Sequence, residues 1–324
     1  MSEINYIEEI ENLKDQIQKL STWLWGKSVL LEDINLWLEN FTEVEPDREK
    51  YIALSLLSQF MFYDLREIRQ AMKSIYKDKF ILPLTSSYRD SVQSYNLEDY
   101  SNNVESIMKK TVFASVGNPS ESSSLLLYFF RQRNKLAKDF FMHSHQLLAN
   151  DFQGTDIEYL IYIDDISGSG GQAIKTLGDI IPKIKSKYTN IKILYFTIFA
   201  TTVALEKLES SKLFDKVDTV FELDETYRTF SNESRYFSKR LSQDDRDFFE
   251  SVCKNHYRNQ WELSEDDISR QEGGILNDDE CGYANGQLSL GFFYNIPNNT
   301  LPIFWAESDE WKPIFKRYSK VYTR

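Results

Sequence analysis

Tyr159-Leu160-Ile161-Tyr162-Ile163-Asp164-Asp165-Ile166-Ser167-Gly168-Ser169-Gly170-Gly171-Gln172-Ala173 decides how this chain is read. Five apolar residues run without alternation into two adjacent carboxylates. An unbroken apolar run suits a central strand covered on both faces. The carboxylates then fall at its carboxyl end, where open α/β sheets bind ligands. Successive strand residues point to opposite faces, so Asp164 and Asp165 cannot perform the same task. One is suited to ribose hydroxyls or Mg²⁺, the other to a different subsite or a structural partner. Glycines at 168, 170 and 171 allow positive φ and close approach of backbone to a ligand. Ser167 and Ser169 add hydroxyls, and a helix is expected over residues 173–184. Loop N–H groups ahead of a helix favour a phosphate.

Outward from this segment the pattern repeats. Residues 191–200 and 217–223 read as further strands, with a helix over 203–211 between them. That spacing predicts a parallel sheet with right-handed crossovers. Upstream, residues 111–116 read as a strand. The loop 117–124, with Gly117, Ser120 and Ser122, leads into a helix expected over 125–150. The serines fit an ordinary N-cap cluster or hydrogen-bond donors to an anion. Arg131, Arg133 and Lys135 on that helix read as a solvated face, or as neutralising charge for a pyrophosphate.

The carboxylate–glycine segment resembles the phosphoribosyl-pyrophosphate signature of type I phosphoribosyltransferases. By that resemblance Asp164 and Asp165 contact ribose hydroxyls, directly or through Mg²⁺, and residues 168–172 hold the 5′-phosphate. The loop at 117 stands where those enzymes bind pyrophosphate. Gln172 stands where threonine is usual. Gly168 stands where some purine members carry an aspartate, which argues against a purine-salvage enzyme.

Four further patches extend the likeness: Trp37-Leu38-Glu39-Asn40-Phe41, Gly117 to Ser123, Tyr294 to Trp305, and Trp311 to Arg317. As a set they resemble the phosphoribosyltransferase-like (PRTase-CE type) family of bacterial conflict systems, over residues 34–317. Its members are similar to anti-phage effectors, including those paired with retron reverse transcriptases. The resemblance implies a toxic or nucleotide-depleting effector held in check by a protein partner. It leaves open an enzyme acting at the anomeric carbon, a catalytically inactive nucleotide sensor, and a subunit docked to a reverse transcriptase with its RNA or DNA. The expected architecture is a type I phosphoribosyltransferase-like parallel α/β core (residues 77–240). A helical N-terminal region (1–76) precedes it and an α+β C-terminal extension (241–324) follows.

Composition narrows the partners. The 324 residues carry a formal charge of −12. Such a surface repels a phosphate backbone, so direct nucleic-acid binding is not expected. Aromatics at 15% leave room for partner-binding surface as well as core. Cys253 and Cys281 have no metal-type spacing and read as free thiols. An acidic, polar N-terminus and short apolar runs point to a cytoplasmic chain with no membrane span. Oligomeric state stays open.

Other elements complete the reading. Residues 3–26 have helical apolar spacing, either packed on their own domain or docking a partner through Trp23 and Trp25. A second helical block is expected from Pro46 to about Tyr76, a short strand over 80–84, and a loop or short helical insertion over 85–104. Residues 224–239 are irregular and form a candidate hood over the ligand. Within it Arg228 and Arg235 accompany Tyr227 and Phe230 as candidates to stack on a base. A helix is expected over 243–261 and a strand over 287–294. Residues 295–299 read as a tight turn. His143 and His145, two apart on an expected helix, face apart and make a poor metal pair.

Overall fold

A computed structural model describes residues 5–93, 95–117, 122–149, 157–237, 240–260 and 279–317. In chain order the helices α1 (Tyr6–Trp23), α2 (Leu31–Leu38) and α3 (Pro46–Leu57) lead into a short strand β1 (Met61–Tyr63) and α4 (Leu65–Ser74). A π-helical turn (Ile75–Ile81) follows, then α5 (Leu82–Val92) and α6 (Leu97–Lys109). Next come β2 (Thr111–Ser115), α7 (Ser122–Asn134), α8 (Ser144–Ala149), β3 (Tyr159–Ser167), α9 (Gly171–Leu177) and α10 (Ile180–Lys187). Then β4 (Lys192–Thr201), α11 (Thr202–Ser210), β5 (Lys216–Leu223), α12 (Gln243–Gln260) and β6 (Leu290–Phe292) complete the chain.

The chain forms two compact units, one of residues 66–223 and one that joins residues 1–65 to 224–324. The boundaries expected at 76 and 240 fall at 65 and 223 instead, and the two ends, expected as separate regions, form one unit. The ends belong together because β1 pairs in parallel with β6, Met61 opposite Leu290.

In the unit built from both ends, the patches around Trp37, Tyr294 and Trp311 meet. Trp37 Nε1 donates to the Ile303 carbonyl at 2.8 Å. Phe41 packs edge-on against Trp37 and Trp311, and Phe304 stacks on Trp37. Asn40 clamps Lys312 from both sides, Nδ2 donating to its carbonyl and Oδ1 accepting from its N–H. An amide side chain that matches both backbone groups behaves as a local strand partner. These patches are one aromatic core, not separate subsites.

The other unit holds a four-stranded parallel sheet in the order β2-β3-β4-β5, the parallel α/β core expected. On one face Leu160, Tyr162, Ile193 and Tyr195 pack with Leu147, Leu177, Ile181 and Leu208 of the helical layer. On the other, Phe113 meets Phe80 of the π-helical turn and Phe130 of α7. Cover on both faces is the reason β3 and β4 read as continuous apolar runs. The strand order does not reverse, so a site at the carboxyl edge rests on loop chemistry and not on a crevice where the order reverses.

Several expectations change. Residues 80–84 are helical, not a strand; a five-residue apolar run carries no period that separates the two. The block from 46 to 76 is interrupted by β1. The helix expected over 125–150 ends at Asn134, where Lys135 takes φ +54°, and resumes at Ser144. The helix expected over 173–184 breaks after Leu177, at Gly178. Of the two readings of residues 85–104, the helical one holds for 85–92, in α5, and 97–104, in α6. Residues 287–294 contribute only the three-residue β6.

Candidate functional site

The central strand β3 lies between β2 and β4, with Asp164 opposite Thr197. The Tyr162 hydroxyl meets Ser144 Oγ at 2.7 Å. The Tyr195 hydroxyl donates to Asp164 Oδ2 at 3.1 Å. Asp164 therefore shares the face of Tyr162 and Tyr195, and alternation sends Asp165 to the other face. Asp165 is 5% exposed, whereas Asp164 is half-buried. Each carboxylate also ties down the next amide: Asp165 N–H donates to Asp164 Oδ1 at 3.0 Å, and Ile166 N–H to Asp165 Oδ1 at 2.9 Å.

Burial, and next the charge of Asp165, push the Asp164 carboxyl well above the usual carboxylate range. Burial and then Asp164 push the Tyr195 phenol up in turn. Burial takes Tyr162 to about 12. Asp164 is thus a proton-retaining group that a ligand hydroxyl or a cation would draw into its charged form.

Beyond the strand, the loop is held against α11. Thr201 Oγ1 donates to the Gly168 carbonyl at 2.6 Å and accepts from Ala204 N–H at 3.0 Å. One hydroxyl thereby caps α11 and fixes the loop's entry. Gly170 has φ +69°, and a methyl there would lie 3.2 Å from the Ala204 carbonyl oxygen. Conformation and the close approach of α11 both require glycine. Gly171 N–H reaches Ser169 Oγ at 3.4 Å. Ser167 is buried, Ser169 half-buried and Gln172 exposed. Lys207 of α11, solvent-exposed, puts its Nζ 3.8 Å from the point where a side chain on Gly171 would begin. Sequence reading missed Lys207, because its approach depends on how α11 docks on the loop.

The remaining candidates separate. Gly117 lies two residues beyond β2 and lines a cavity of about 180 Å³ with His143, Ser144, His145 and Thr176. His143 precedes α8 and does not share its helix, so the expectation of two histidines on one helix does not hold, and both residues border this cavity. Ser120 lies outside the described residues, and Ser122 begins α7. Arg131 stands nine residues further along α7, about 14 Å of helix rise away, with its guanidinium 5.8 Å from the Tyr128 ring centre. Of the hood candidates, Phe230 is buried in the core of the unit formed by both ends and is not available to stack on a base. Arg235 lies 3.4 Å over the Tyr227 ring, and Arg228 pairs with Glu225 at 2.9 Å. Cys253 and Cys281 are buried free thiols.

Among the described residues no cluster of three or more His, Cys, Asp or Glu side chains could hold an ion. The donor set suits a Mg²⁺ ion that takes one carboxylate from the protein and its other ligands from substrate and water. No helix among the described residues is long and apolar enough to cross a membrane.

A parallel sheet whose central strand ends in paired carboxylates and a glycine loop defines a phosphoribosyltransferase-like α/β protein. The chain belongs to the PRTase-CE family, whose model matches residues 34–317. No curated protein matches it.

Proposed function

We propose that this protein binds a phosphoribosyl compound, a sugar diphosphate or a nucleotide, at the carboxyl end of β3 and acts at its anomeric carbon. The observation that carries this reading is the convergence of Asp164, the Gly168–Gly171 turn and Lys207 at one strand end. The 5′-phosphate is assigned to Ser167, Gly168, Ser169, Gly170, Gly171 and Gln172, with Lys207 as counter-charge. Asp164 and Asp165 are the acceptors proposed for the ribose hydroxyls, with half-buried Asp164 the more open of the two. Asp164 would be the carboxylate to hold a Mg²⁺ ion, which would supply charge neutralisation for a diphosphate. The protein's part in displacement is positional and electrostatic: it holds the sugar while positive charge develops at the anomeric carbon, with no covalent nucleophile. Gly117 and the cavity beside it fit the departing group. The biological setting proposed, by kinship, is anti-phage defence as an effector in the cytoplasm.

The test is calorimetric binding of ribose 5-phosphate and of phosphoribosyl pyrophosphate, with pyrophosphate release measured in parallel. Binding and release in the native chain, both lost in Asp164→Asn/Asp165→Asn with the fold intact, support the enzymatic reading. Full activity of that double variant discards it.

A second reading is favoured by the surface of the other unit. Trp23 is 81% exposed, and Leu24, Leu30, Leu31 and Leu36 are exposed near it in sequence. Trp25, its partner in the sequence argument, is buried at 2%. An apolar surface of this kind marks protein contact, as in a nucleotide-binding subunit that docks a reverse transcriptase with its RNA or DNA. Ligand binding without pyrophosphate release would select it.

A further inference from the structure

The hairpin of α5 and α6 buries little of itself. Thr85 is the one buried side chain of α5, and Met108 that of α6. Yet Val92, Tyr95, Leu97 and Tyr100 stand exposed within nine residues, Tyr95 at 86% and Leu97 at 81%. Scattered exposed apolar residues need no explanation, but a concentration of this kind around a concavity does. The concavity is a cavity of about 220 Å³ between the two helices, lined by Tyr88, Tyr95 and Tyr100 with Arg89, Asn96 and Asp99.

Three phenol rings and a guanidinium are stacking platforms. The Arg89 guanidinium stands 5.8 Å from the Tyr95 ring centre, so one planar group already faces an aromatic wall. A flat heterocycle can stack on either. Asn96 caps α6, its Oδ1 accepting from the Glu98 N–H at 2.9 Å, and Asp99 borders the same space, so polar groups edge the aromatic walls. Thr85 at the floor has its hydroxyl bound to the Ile81 and Leu82 carbonyls, so the floor is polar but satisfied. Arg89 in the lining disfavours an organic cation, which three tyrosines and a carboxylate would otherwise suit. The size admits one base and part of its sugar.

We propose that this cavity binds a nucleobase, at a site separate from the carboxyl end of β3. The ligand class is a nucleoside or mononucleotide recognised by stacking.

The experiment titrates the full chain with adenosine, cytidine and choline, by saturation-transfer NMR and calorimetry, with ribose 5-phosphate in parallel. At least one nucleoside is expected to bind with its ring protons closest to the protein. Tyr95→Ala/Tyr100→Ala should weaken it at least fivefold, and Tyr95→Phe should retain it. Asp164→Asn should leave nucleoside affinity unchanged. Both tyrosines are exposed, so circular dichroism of the variants should match the parent. Absence of nucleoside binding, undiminished affinity in the double variant, loss of nucleoside binding in Asp164→Asn, or choline binding more tightly than either nucleoside would each overturn the assignment. Ribose 5-phosphate binding reports on the strand-end site alone, so failure there is read separately.

Discussion

Tyr195 and Asp164 sit on adjacent parallel strands, and the phenol of the first donates to Oδ2 of the second at 3.1 Å. The bond crosses from the helix-covered face of β4 to the last turn of β3 before the loop. Its donor side belongs to the apolar layer and its acceptor side is half-open. A carboxyl in that position is desolvated without being sealed, which is where a polar ligand gains most from replacing lost water.

That environment predicts a pH dependence of stability. The folded carboxyl of Asp164 titrates well above its unfolded value of 3.8. The folded state therefore holds more protons than the unfolded state between those two values. Stability from this group is greatest below the unfolded value and falls as pH rises through the folded one. Asp164→Asn removes the cost of ionising it. Its thermal midpoint should exceed that of the native chain at neutral pH, by roughly 2–4 °C for each kcal/mol recovered, and the difference should vanish toward pH 4. Thermal melts across pH 4–8 check this; a lower midpoint for the variant at pH 7.5 would contradict it.

Gly170→Ala tests the loop. An alanine at φ +69° costs about 1–2 kcal/mol, and its methyl would press on the Ala204 carbonyl oxygen at 3.2 Å. Denaturant titration should show a loss of about that size or somewhat more. Affinity for ribose 5-phosphate should fall as well, because relief of the clash moves the turn away from α11. Unchanged stability would mean that the turn adapts freely.

How much of this was open to sequence reading follows from the range of each interaction. Strands β3 and β4 announce themselves because both faces are covered, so their central residues, 160–163 and 193–196, form unbroken apolar runs. The position of Asp164 and Asp165 near the end of β3 is legible because the apolar run stops there. The helical state of residues 80–84 was hidden in a run too short to carry a period. The pairing of Met61 with Leu290 joins segments more than two hundred residues apart, and no local signal reports it. Lys207 belongs to a helix whose own sequence is ordinary; only the docking of α11 brings it to the loop.

In the unit of both ends, Arg258 offers a stability test independent of ligand. Its guanidinium holds Glu280 through two bonds, at 2.6 and 3.2 Å, and Glu280 is buried. Arg258→Ala would strand that carboxylate, at about 3 kcal/mol. Arg258→Ala with Glu280→Gln should recover a good part of the loss. Chemical unfolding of the single and double variants measures it; equal stability of Arg258→Ala and the native chain would show the pair to be idle.

Lys207 carries the sharpest claim about the strand-end site. A lysine ammonium near a turn rich in backbone N–H groups adds positive potential where the peptide already supplies it. An anion between them satisfies both. Lys207→Ala should weaken ribose 5-phosphate binding about tenfold, equivalent to about 1.4 kcal/mol. Lys207→Glu should weaken it further, and Lys207→Arg should preserve most of it. Because the side chain is exposed, the native affinity should decline with added salt, and Lys207→Ala should show a shallower decline. Stability should stay within about 0.5 kcal/mol of the parent in all three variants. Calorimetry at two ionic strengths decides the matter. Should Lys207→Ala bind as tightly as the native chain while Asp164→Asn does not, the phosphate lies elsewhere along the sheet edge and the sugar assignment alone survives.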